Sequence, residues 1–542
     1  MERIYYNGKI ITMEDNQTPP EAVLVSDGRI AAVGALEEVR KQCLEDVELT
    51  DLGGKCLMPS FIDPHGHVTM TGQMSLCADL SECESFDDIV RELNRYLEAH
   101  PAVKDQVLLG FGYDHNFLRE KAHPDKRVLD RVSETIPIMI LHTSAHLSCV
   151  NSAMLRLAGL EMNALDPEGG FYGRMEDGRE LSGYAEEAGM VPFQKVLAEK
   201  LKPDMAMMMA NMQRAYIENG ITTVQDGAST GADIQLLRSM SEKGLLKIDV
   251  VAYPMMGEEG SEIMRTLGED YRDYRGHLKL GGYKLVLDGS PQGRTAWMSK
   301  PYLQACDAQG DKDYCGYPWM RDEEVEKRAL QAVEEKRQLL AHCNGDAAGE
   351  QYLNAYEKAV ARTGSKEELR PVMIHCQTVR NDQLDRMADL GMIASIFVGH
   401  VYYWGDVHMK NFGPERGNHI SPVKDALERG VKVNFHQDTP VTKPRMLHSV
   451  WCAVNRVSRG GSVIGEDQRI SVYEALKAVT IDAAYEYFEE DSKGSIKAGK
   501  RADLVILDRS PLEVDPMELR DIRVLETIKD GESIYRNSSA ME

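Results

Sequence analysis

Two histidines separated by one residue end a short apolar segment near the N-terminus. His65 and His67 follow the segment 58–62, Met-Pro-Ser-Phe-Ile. Alternate residues of a β-strand face the same side, so a strand here would point both imidazoles the same way at its C-terminal end. Two neutral imidazole nitrogens on one side are typical ligands of a transition-metal ion. The spacing therefore predicts a metal site.

Four more metal-competent residues lie in or after apolar segments further along the chain. They are Lys284, His342, His375 and Asp438. Taken singly, each histidine has an ordinary explanation as a core or capping residue. Lys284 alone would be a stem packed on a sheet with its ammonium in solvent, and Asp438 a helix N-cap. The joint placement of all six residues at strand ends favours a metal centre.

The elements that would position these residues alternate between short apolar strands and amphipathic helices from about residue 220 onward. The predicted strands are 222–225, 248–253, 282–287, 339–342, 372–375, 393–398 and 431–436, and the segment before His65 makes eight. Helical periodicity covers 323–337 and 347–361. This order predicts an α/β fold with a parallel sheet, most economically a (β/α)8 TIM barrel, whose active site lies at the C-terminal strand ends.

Both chain ends carry β-strand patterns. The strand segments are 4–12, 22–25 and 502–507, with a turn signal at Asp27-Gly28. We predict that residues 1–57 and 491–542 form one small β-sandwich domain and that residues 58–490 form the barrel. Residues 68–210 are too many for one β/α unit. They are predicted to be a large insertion after strand 1, with helices at 87–99 and 206–218.

Composition excludes several classes of function. The 63 Lys+Arg against 87 Asp+Glu give a net charge of −24, which repels nucleic acid and anionic membranes. No apolar run reaches the roughly 18 residues of a membrane span, and no signal sequence opens the chain, so we expect a cytoplasmic protein. Ten cysteines without a Cys-x-x-Cys pair indicate reduced thiols. The oligomeric state, monomer or homo-oligomer, is left open.

The motifs resemble those of a known superfamily. Segment 61–67, Phe-Ile-Asp-Pro-His-Gly-His, with the later lysine, histidines and aspartate, is similar to the amidohydrolase superfamily, and segment 494–505 resembles its return to the terminal β-sandwich. Segments 284–290, 342–346 and 436–441 resemble the amidohydrolase family 3 branch. The resemblance implies a metal-dependent hydrolase on a (β/α)8 barrel. The best-described activity of the branch is deformylation of N-substituted formamides.

The resemblance also implies a role for each candidate residue. His65 and His67 would bind one metal with Asp438, and His342 and His375 would bind a second. Lys284 would bridge the two metals if carbon dioxide carboxylates it, because an unmodified ammonium has no lone pair to offer. Zinc suits these ligands, at one or two ions per chain, with iron or manganese as alternatives. Asp438 would also act as the general base.

Substrate-binding candidates lie on loops and in the insertion. His400 and Arg416 follow strand 7, where loops carry specificity. Tyr113, Asp114 and His146 either reach over the site or stabilise the fold of the insertion.

The predicted function is hydrolysis of a C–N bond in a small uncharged amide, with N-substituted formamides as the nearest known type. The alternatives are another amide, a carbamate or an ester, a deaminase, or a non-catalytic barrel protein. The segment Cys-Asn-Gly-Asp after His342 lacks the His-x-x-Glu acid of deaminases and argues against deamination. Scaffold relatives typically lose ligands, and none is missing here.

Overall fold

The computed structural model describes residues 2–15, 18–43, 46–143, 147–167, 170–201, 205–303 and 312–537. Its strands are, in chain order, β1 Arg3–Tyr6, β2 Lys9–Ile10, β3 Ala22–Ser26, β4 Arg29–Gly34, β5 Glu48–Asp51, β6 Cys56–Pro59, β7 Phe61–Ile62, β8 Ala78–Asp79, β9 Leu108–Tyr113, β10 Ile138–His142, β11 Leu147–Val150, β12 Gly170–Arg174, β13 Leu181–Glu187, β14 Ile221–Ser229, β15 Asp249–Pro254, β16 Leu278–Leu280, β17 Gly282–Val286, β18 Gln338–Cys343, β19 Val372–His375, β20 Ile393–Ile396, β21 Val433–Phe435, β22 Leu504–Leu507, β23 Val524–Lys529 and β24 Glu532–Arg536.

The α-helices cover much of the remaining described chain. They are α1 Leu36–Arg40, α2 Val68–Met74, α3 Phe86–Ala99, α4 Lys126–Asp130, α5 Ser152–Leu157, α6 Val191–Lys200, α7 Met205–Ile217, α8 Gly231–Glu242, α9 Glu258–Leu267, α10 Asp322–Glu334, α11 Asp346–Thr363, α12 Asn381–Asp389, α13 His400–Asn418, α14 Val423–Glu428, α15 Met446–Asn455, α16 Val472–Ala478 and α17 Ile481–Glu486. Helix α13 is interrupted at Gly413, directly before Pro414.

The chain divides into two compact units. The first combines the chain up to Val68, residues 213–439 and the chain from Lys443 onward, and the second consists of residues 69–212 and 440–442. All six predicted metal-site residues belong to the first unit.

Parallel strands form the centre of the first unit. One sheet has the order β16-β15-β14-β7 and the other β17-β18-β19-β20-β21, with all pairs parallel. A parallel bridge between Met255 and Lys284 connects the two sheets. Seven of the eight strand segments expected from the sequence are confirmed as strands. The expected strand over 58–62 is divided, because β6 pairs with β22 in another sheet and only β7, Phe61–Ile62, joins the parallel strands. Strand β16 is an addition. Because helices separate these strands in the chain, consecutive strands run parallel and end at the same edge.

The core of this unit explains why these segments are strands. The residues of β18 and β19 are apolar or β-branched over most of their length, and Leu340, Val372 and Ile374 are fully buried. They pack in one cluster with Ile62 of β7 and Tyr487. Strands buried on both faces read as continuous apolar runs, which is the pattern that the sequence shows.

Strands from both chain ends pair with one another in the first unit. The sheet β2-β6-β22-β23-β24 joins N-terminal and C-terminal strands, and β4-β3-β1-β5 is a second sheet. The hairpin β3–β4 turns at Asp27 (φ 49°) and Gly28 (φ 76°), the left-handed conformation that a two-residue turn requires. Side chains of both sheets, including Tyr5, Val23 and Leu504, share one hydrophobic cluster.

The second unit has a sheet of its own with the order β12-β13-β11-β10-β9-β8. Strands β8, β9 and β10 are parallel, and the pairs from β10 to β12 are antiparallel. Helix α3 confirms the helix predicted over 87–99. The Ser85 side chain caps it by accepting from the Asp88 N–H, and Ile89, Leu93 and Leu97 form its buried face.

Two findings bear on the environment of the protein. None of the helices within the described ranges is both long enough and apolar enough to cross a membrane. The nine cysteines in those ranges are free thiols, and Cys306 lies outside them.

Candidate metal centre

Three predicted ligands meet at one point in the first unit. The Nε2 atoms of His65 and His67 each lie 3.3 Å from Oδ1 of Asp438. Four tetrahedral ligands around zinc, with bonds of about 2.0–2.1 Å, stand roughly 3.4 Å apart. The two imidazoles and the carboxylate are therefore spaced as ligands of one ion, and this donor set fits a transition metal.

The opposite nitrogens of the two imidazoles are held by hydrogen bonds. Nδ1 of His65 lies 2.6 Å from Oε1 of Gln225, and Nδ1 of His67 lies 2.7 Å from the carbonyl oxygen of Gly227. The Gln225 amide donates to the carbonyl of Pro64, which fixes its orientation. Because each acceptor needs a proton on Nδ1, both Nε2 atoms keep their lone pairs for a metal.

The ring of His65 approaches the backbone of β14 so closely that only a glycine fits at position 227. A Cβ atom at position 227 would lie 2.8 Å from Cε1 of His65, so Gly227 leaves room for that ring. Strand β14 thus supplies both hydrogen-bond partners of the histidine pair. Neither Gln225 nor Gly227 was expected from the sequence, because a polar residue inside an apolar strand does not reveal which side chain it faces.

Asp438, three residues after the end of β21, and His375, the last residue of β19, occupy strained backbone positions. Their φ values are 54° and 71°, in the left-handed region that non-glycine residues rarely adopt. Burial raises the pKa of Asp438, but its interactions with the imidazoles of His65 and His67 outweigh burial and hold that pKa well below its usual value. The carboxylate is therefore ionised, as a ligand or a general base must be.

His342 and His375 form a second pair. Nδ1 of His342 lies 3.0 Å from Nε2 of His375, and the other nitrogen of His342 lies 3.2 Å from the carbonyl oxygen of Gly289. Nδ2 of Asn344 also lies 3.0 Å from Nε2 of His342, so these contacts do not fix the tautomer of His342. The ring of His375 also contacts the ring of His65 edge to face, with centroids 5.6 Å apart. The structure thus brings both predicted histidine pairs together.

Lys284 lies between the two pairs. Its side chain is fully buried, and its Nζ is 3.5 Å from Nε2 of His65. Burial lowers the pKa of Lys284 to about 8, although the charge of Asp438 acts in the opposite direction. At pH 7 roughly a tenth of such an amine is neutral, against less than a thousandth for an unperturbed lysine. A neutral amine is the form that reacts with carbon dioxide.

The comparison with known proteins identifies the family. Residues 48–535 match the sequence model of the amidohydrolase family. The chain belongs to this amidohydrolase family. It is therefore an enzyme that hydrolyses C–N bonds, in a family of metal-dependent hydrolases.

Relatives of the amidohydrolase align over nearly its whole length. The N-substituted formamide deformylase of Arthrobacter pascens is 28% identical over 98% of this chain and 98% of its own. The putative amidohydrolase YtcJ of Bacillus subtilis (strain 168) is 26% identical over 99% and 100%. The crystal structure of an uncharacterized metal-dependent hydrolase from Pyrococcus horikoshii OT3 has a TM-score of 0.74 and 25% identity, covering 95% of this chain and 99% of that one.

Two carboxylates near the metal ligands of the amidohydrolase were not expected from the sequence. Asp288 is buried and accepts backbone N–H groups of Trp297, Asn344 and Gly345, which fixes the loop after β18. Burial raises the pKa of Asp288 to about 7 despite these bonds. Burial likewise raises the pKa of Glu486 to about 8.

Glu486 and His436 complete the surroundings of the ligands. The carboxyl of Glu486 accepts from Nδ2 of Asn434, at 2.7 Å, and from the Gln225 amide. His436 is buried, with its ring centroid 5.0 Å from that of His65 and 5.1 Å from that of His375. Among the described residues, neither of its ring nitrogens finds a hydrogen-bond partner.

The predicted substrate-binding residues of the first unit differ in their surroundings. His400 is buried at the start of α13, with its ring centroid 6.1 Å from that of His375 and its Nδ1 without a partner among the described residues. The guanidinium of Arg416 donates to the carbonyls of Lys300 and Pro301. His400 therefore lies beside the predicted ligands, and Arg416 holds a neighbouring backbone segment.

The predicted substrate-binding residues of the second unit are buried side by side. The hydroxyl of Tyr113 lies 3.0 Å from Nδ1 of His123, and Oδ1 of Asp114 lies 3.5 Å from Nε2 of His142. His146 lies outside the described residues.

Proposed function

We propose that this amidohydrolase cleaves the C–N bond of a small amide by metal-assisted hydrolysis and that N-substituted formamides are its substrate class. The observation that carries the reaction type is the convergence of His65 and His67 on Asp438, each at 3.3 Å, with both opposite nitrogens held by acceptors. The formamide class is supported by the name and the full-length alignment of the Arthrobacter pascens relative.

The architecture that we propose for this function is a closed (β/α)8 barrel. Nine parallel strands, of which β16 and β17 are separated only by Gly281, and the bridge from Met255 to Lys284 support this proposal. Residues 58–490 would form the barrel with its insertion at 68–210, and residues 1–57 and 491–542 the β-sandwich domain.

We assign the metal positions as follows. His65, His67 and Asp438 would hold one zinc ion and His342 and His375 a second, and carboxylated Lys284 would supply anionic oxygen donors. Zinc at such a site lowers the pKa of water toward neutrality and polarises the carbonyl of the substrate.

Asp438 performs the proton transfers. Its ionised carboxylate accepts a proton from the attacking water while the water oxygen bonds to the formyl carbon. The same proton is then donated to the amide nitrogen as the C–N bond breaks. The products are formic acid and a free amine. The acid then loses its remaining proton to the amine or to water and becomes formate, and the carboxylate of Asp438 has returned to its initial state. His65 and His67, fixed through Gln225 and Gly227, keep that carboxylate in one orientation.

His400 and Arg416 are proposed to shape the substrate site. The free Nδ1 of His400, beside the ring of His375, supports a polar contact with substrate.

A substrate panel tests the proposal. Zinc-loaded protein is incubated with N-substituted formamides, other amides, carbamates, esters and aminated heterocycles, and formate, carboxylate, amine and ammonia are quantified. We expect equal amounts of formate and amine from the formamides. His67→Ala should abolish this activity. His419→Ala should retain it, because the His419 ring lies 3.6 Å from Asp425 and outside the ligand cluster.

Three results would contradict parts of the proposal. Turnover of another amide without formate production would replace the formamide class. Ammonia from the heterocycles alone would favour deamination. No hydrolysis of any C–N bond by metal-loaded protein would refute the reaction type.

A further inference from the structure

A second cluster of metal-competent side chains lies in the second unit. Asp114 and His115 directly follow strand β9, and His142 is the last residue of β10. The two strands are parallel neighbours, with His142 paired to Tyr113 in the ladder. Polar residues at the C-terminal ends of adjacent parallel strands emerge at one edge of the sheet, which brings these three side chains together.

Their donor atoms form a compact triangle. Nδ1 of His115 lies 3.3 Å from Nε2 of His142, and Oδ1 of Asp114 lies 3.5 Å from that Nε2 and 3.7 Å from that Nδ1. The separation expected for tetrahedral zinc ligands is roughly 3.4 Å. The triangle therefore has nearly the dimensions of the one formed by His65, His67 and Asp438.

The surroundings orient these donors. Oδ1 of Asp114 accepts from the backbone N–H and the side-chain amide of Asn116, at 2.8 and 3.0 Å, which fixes the carboxylate. The ring of His115 stacks on that of His123, with centroids 4.1 Å apart, and Nδ1 of His123 lies 3.0 Å from the hydroxyl of Tyr113. Such neighbours restrict the rotamers of metal ligands and raise affinity.

The exposed fractions of the three side chains also suit a metal ion. The side chains of Asp114 and His142 are 6% and 9% exposed, whereas that of His115 is 30% exposed. One partly exposed face leaves room for a water molecule as a fourth ligand.

We propose that Asp114, His115 and His142 form an additional binding site for a divalent transition metal, zinc above all, in the second unit. The two imidazole nitrogens and one carboxylate oxygen suit Zn²⁺ better than the all-oxygen preferences of Mg²⁺ or Ca²⁺. This site is made of different residues from the metal centre of the first unit, and its occupancy does not depend on the proposed reaction.

Metal counting on the full-length protein tests the site. Metal-free protein is titrated with Co²⁺, bound ions are counted by elemental analysis, and the visible d–d absorption of each added equivalent is recorded. We expect His115→Ala and His142→Ala each to bind one equivalent fewer than the unchanged protein. The variant His65→Ala/His67→Ala should retain the equivalent of the second unit, and His100→Phe, at the end of α3 against the ring of Tyr96, should bind the full number.

The outcomes separate binding from folding. Melting curves identify a variant that has lost its fold, and His115→Gln, at the most exposed of the three positions, provides a mild second substitution. The proposal is wrong if a folded His115→Gln protein binds as many Co²⁺ ions as the unchanged protein. It is equally wrong if the His65→Ala/His67→Ala protein binds no ion. Because no substrate is used, a negative result in the formamide assay has no influence on this test.

Discussion

The hydrogen bond between Gln225 and His65 offers a sharp test of how the protein prepares its metal ligands. Gln225 is fully buried, accepts from Nδ1 of His65 at 2.6 Å and donates to the carbonyl of Pro64. The substitution Gln225→Leu keeps a side chain of similar size but removes both bonds and the bond that the Gln225 amide donates to Glu486. The ring of His65 then loses the acceptor that holds its proton on Nδ1.

The expected losses of zinc affinity and of stability follow from the role of this hydrogen bond. Loss of an outer hydrogen-bond partner typically weakens metal binding by about 10- to 100-fold, or roughly 1.4 to 2.7 kcal/mol. The unpaired N–H of His65 and carbonyl of Pro64 also cost about 1–3 kcal/mol each in stability. We therefore expect Gln225→Leu to lower both the zinc affinity and the melting temperature.

A matched control separates these two effects. Gln351 is also buried, and its amide donates to the carbonyl of Met320 and to Asp322, away from the metal ligands. Gln351→Leu should lower the melting temperature while leaving zinc affinity unchanged. Zn²⁺ is titrated in competition with a chromophoric chelator. The Kd to compare is that of the binding step that is present in the unchanged protein and absent from His65→Ala/His67→Ala. Equal Kd values for the two leucine variants would refute the reasoning.

Two further predictions concern the residues that carry the proposed chemistry. Asp438→Asn removes the proton carrier, so kcat should fall by about 10²- to 10⁴-fold while elemental analysis finds most of the metal retained; turnover near that of the unchanged enzyme would exclude Asp438 as the base. Lys284→Ala removes the proposed bridging carbamate, so activity should be lost and partly restored by added acetate or propionate; full activity without an added acid would exclude the bridging role.

Most strand ends were predictable because they depend on local apolar runs, as for the strands that end at Cys343 and His375. The convergence of His65 and His67 does not come from strand alternation, because β7 ends at Ile62, three residues before His65. Residues that contact partners far away in the sequence were not predictable. Gln225 is one polar residue in an apolar strand, and its partner is 160 residues away.

The cluster in the second unit escaped prediction for a related reason. His115 follows β9 and His142 ends β10, and the sequence does not specify that these two strands pair. The proximity of the two histidines could therefore not be predicted from their spacing. Strand β16, three residues long, was too short to give a periodic signal.

The sheet that joins N-terminal and C-terminal strands constrains when this chain can fold during translation. Strand β6 pairs with β22, and the side chain of Arg29 donates to the carbonyl of Gly499, 470 residues later. A ribosome that has produced the N-terminal strands must complete almost the whole protein before their partners exist. Strands β8 to β13, in contrast, have all their partners within one continuous stretch of chain. The second unit can therefore form its sheet early in translation. The mixed sheet can form only after its C-terminal strands have been synthesised.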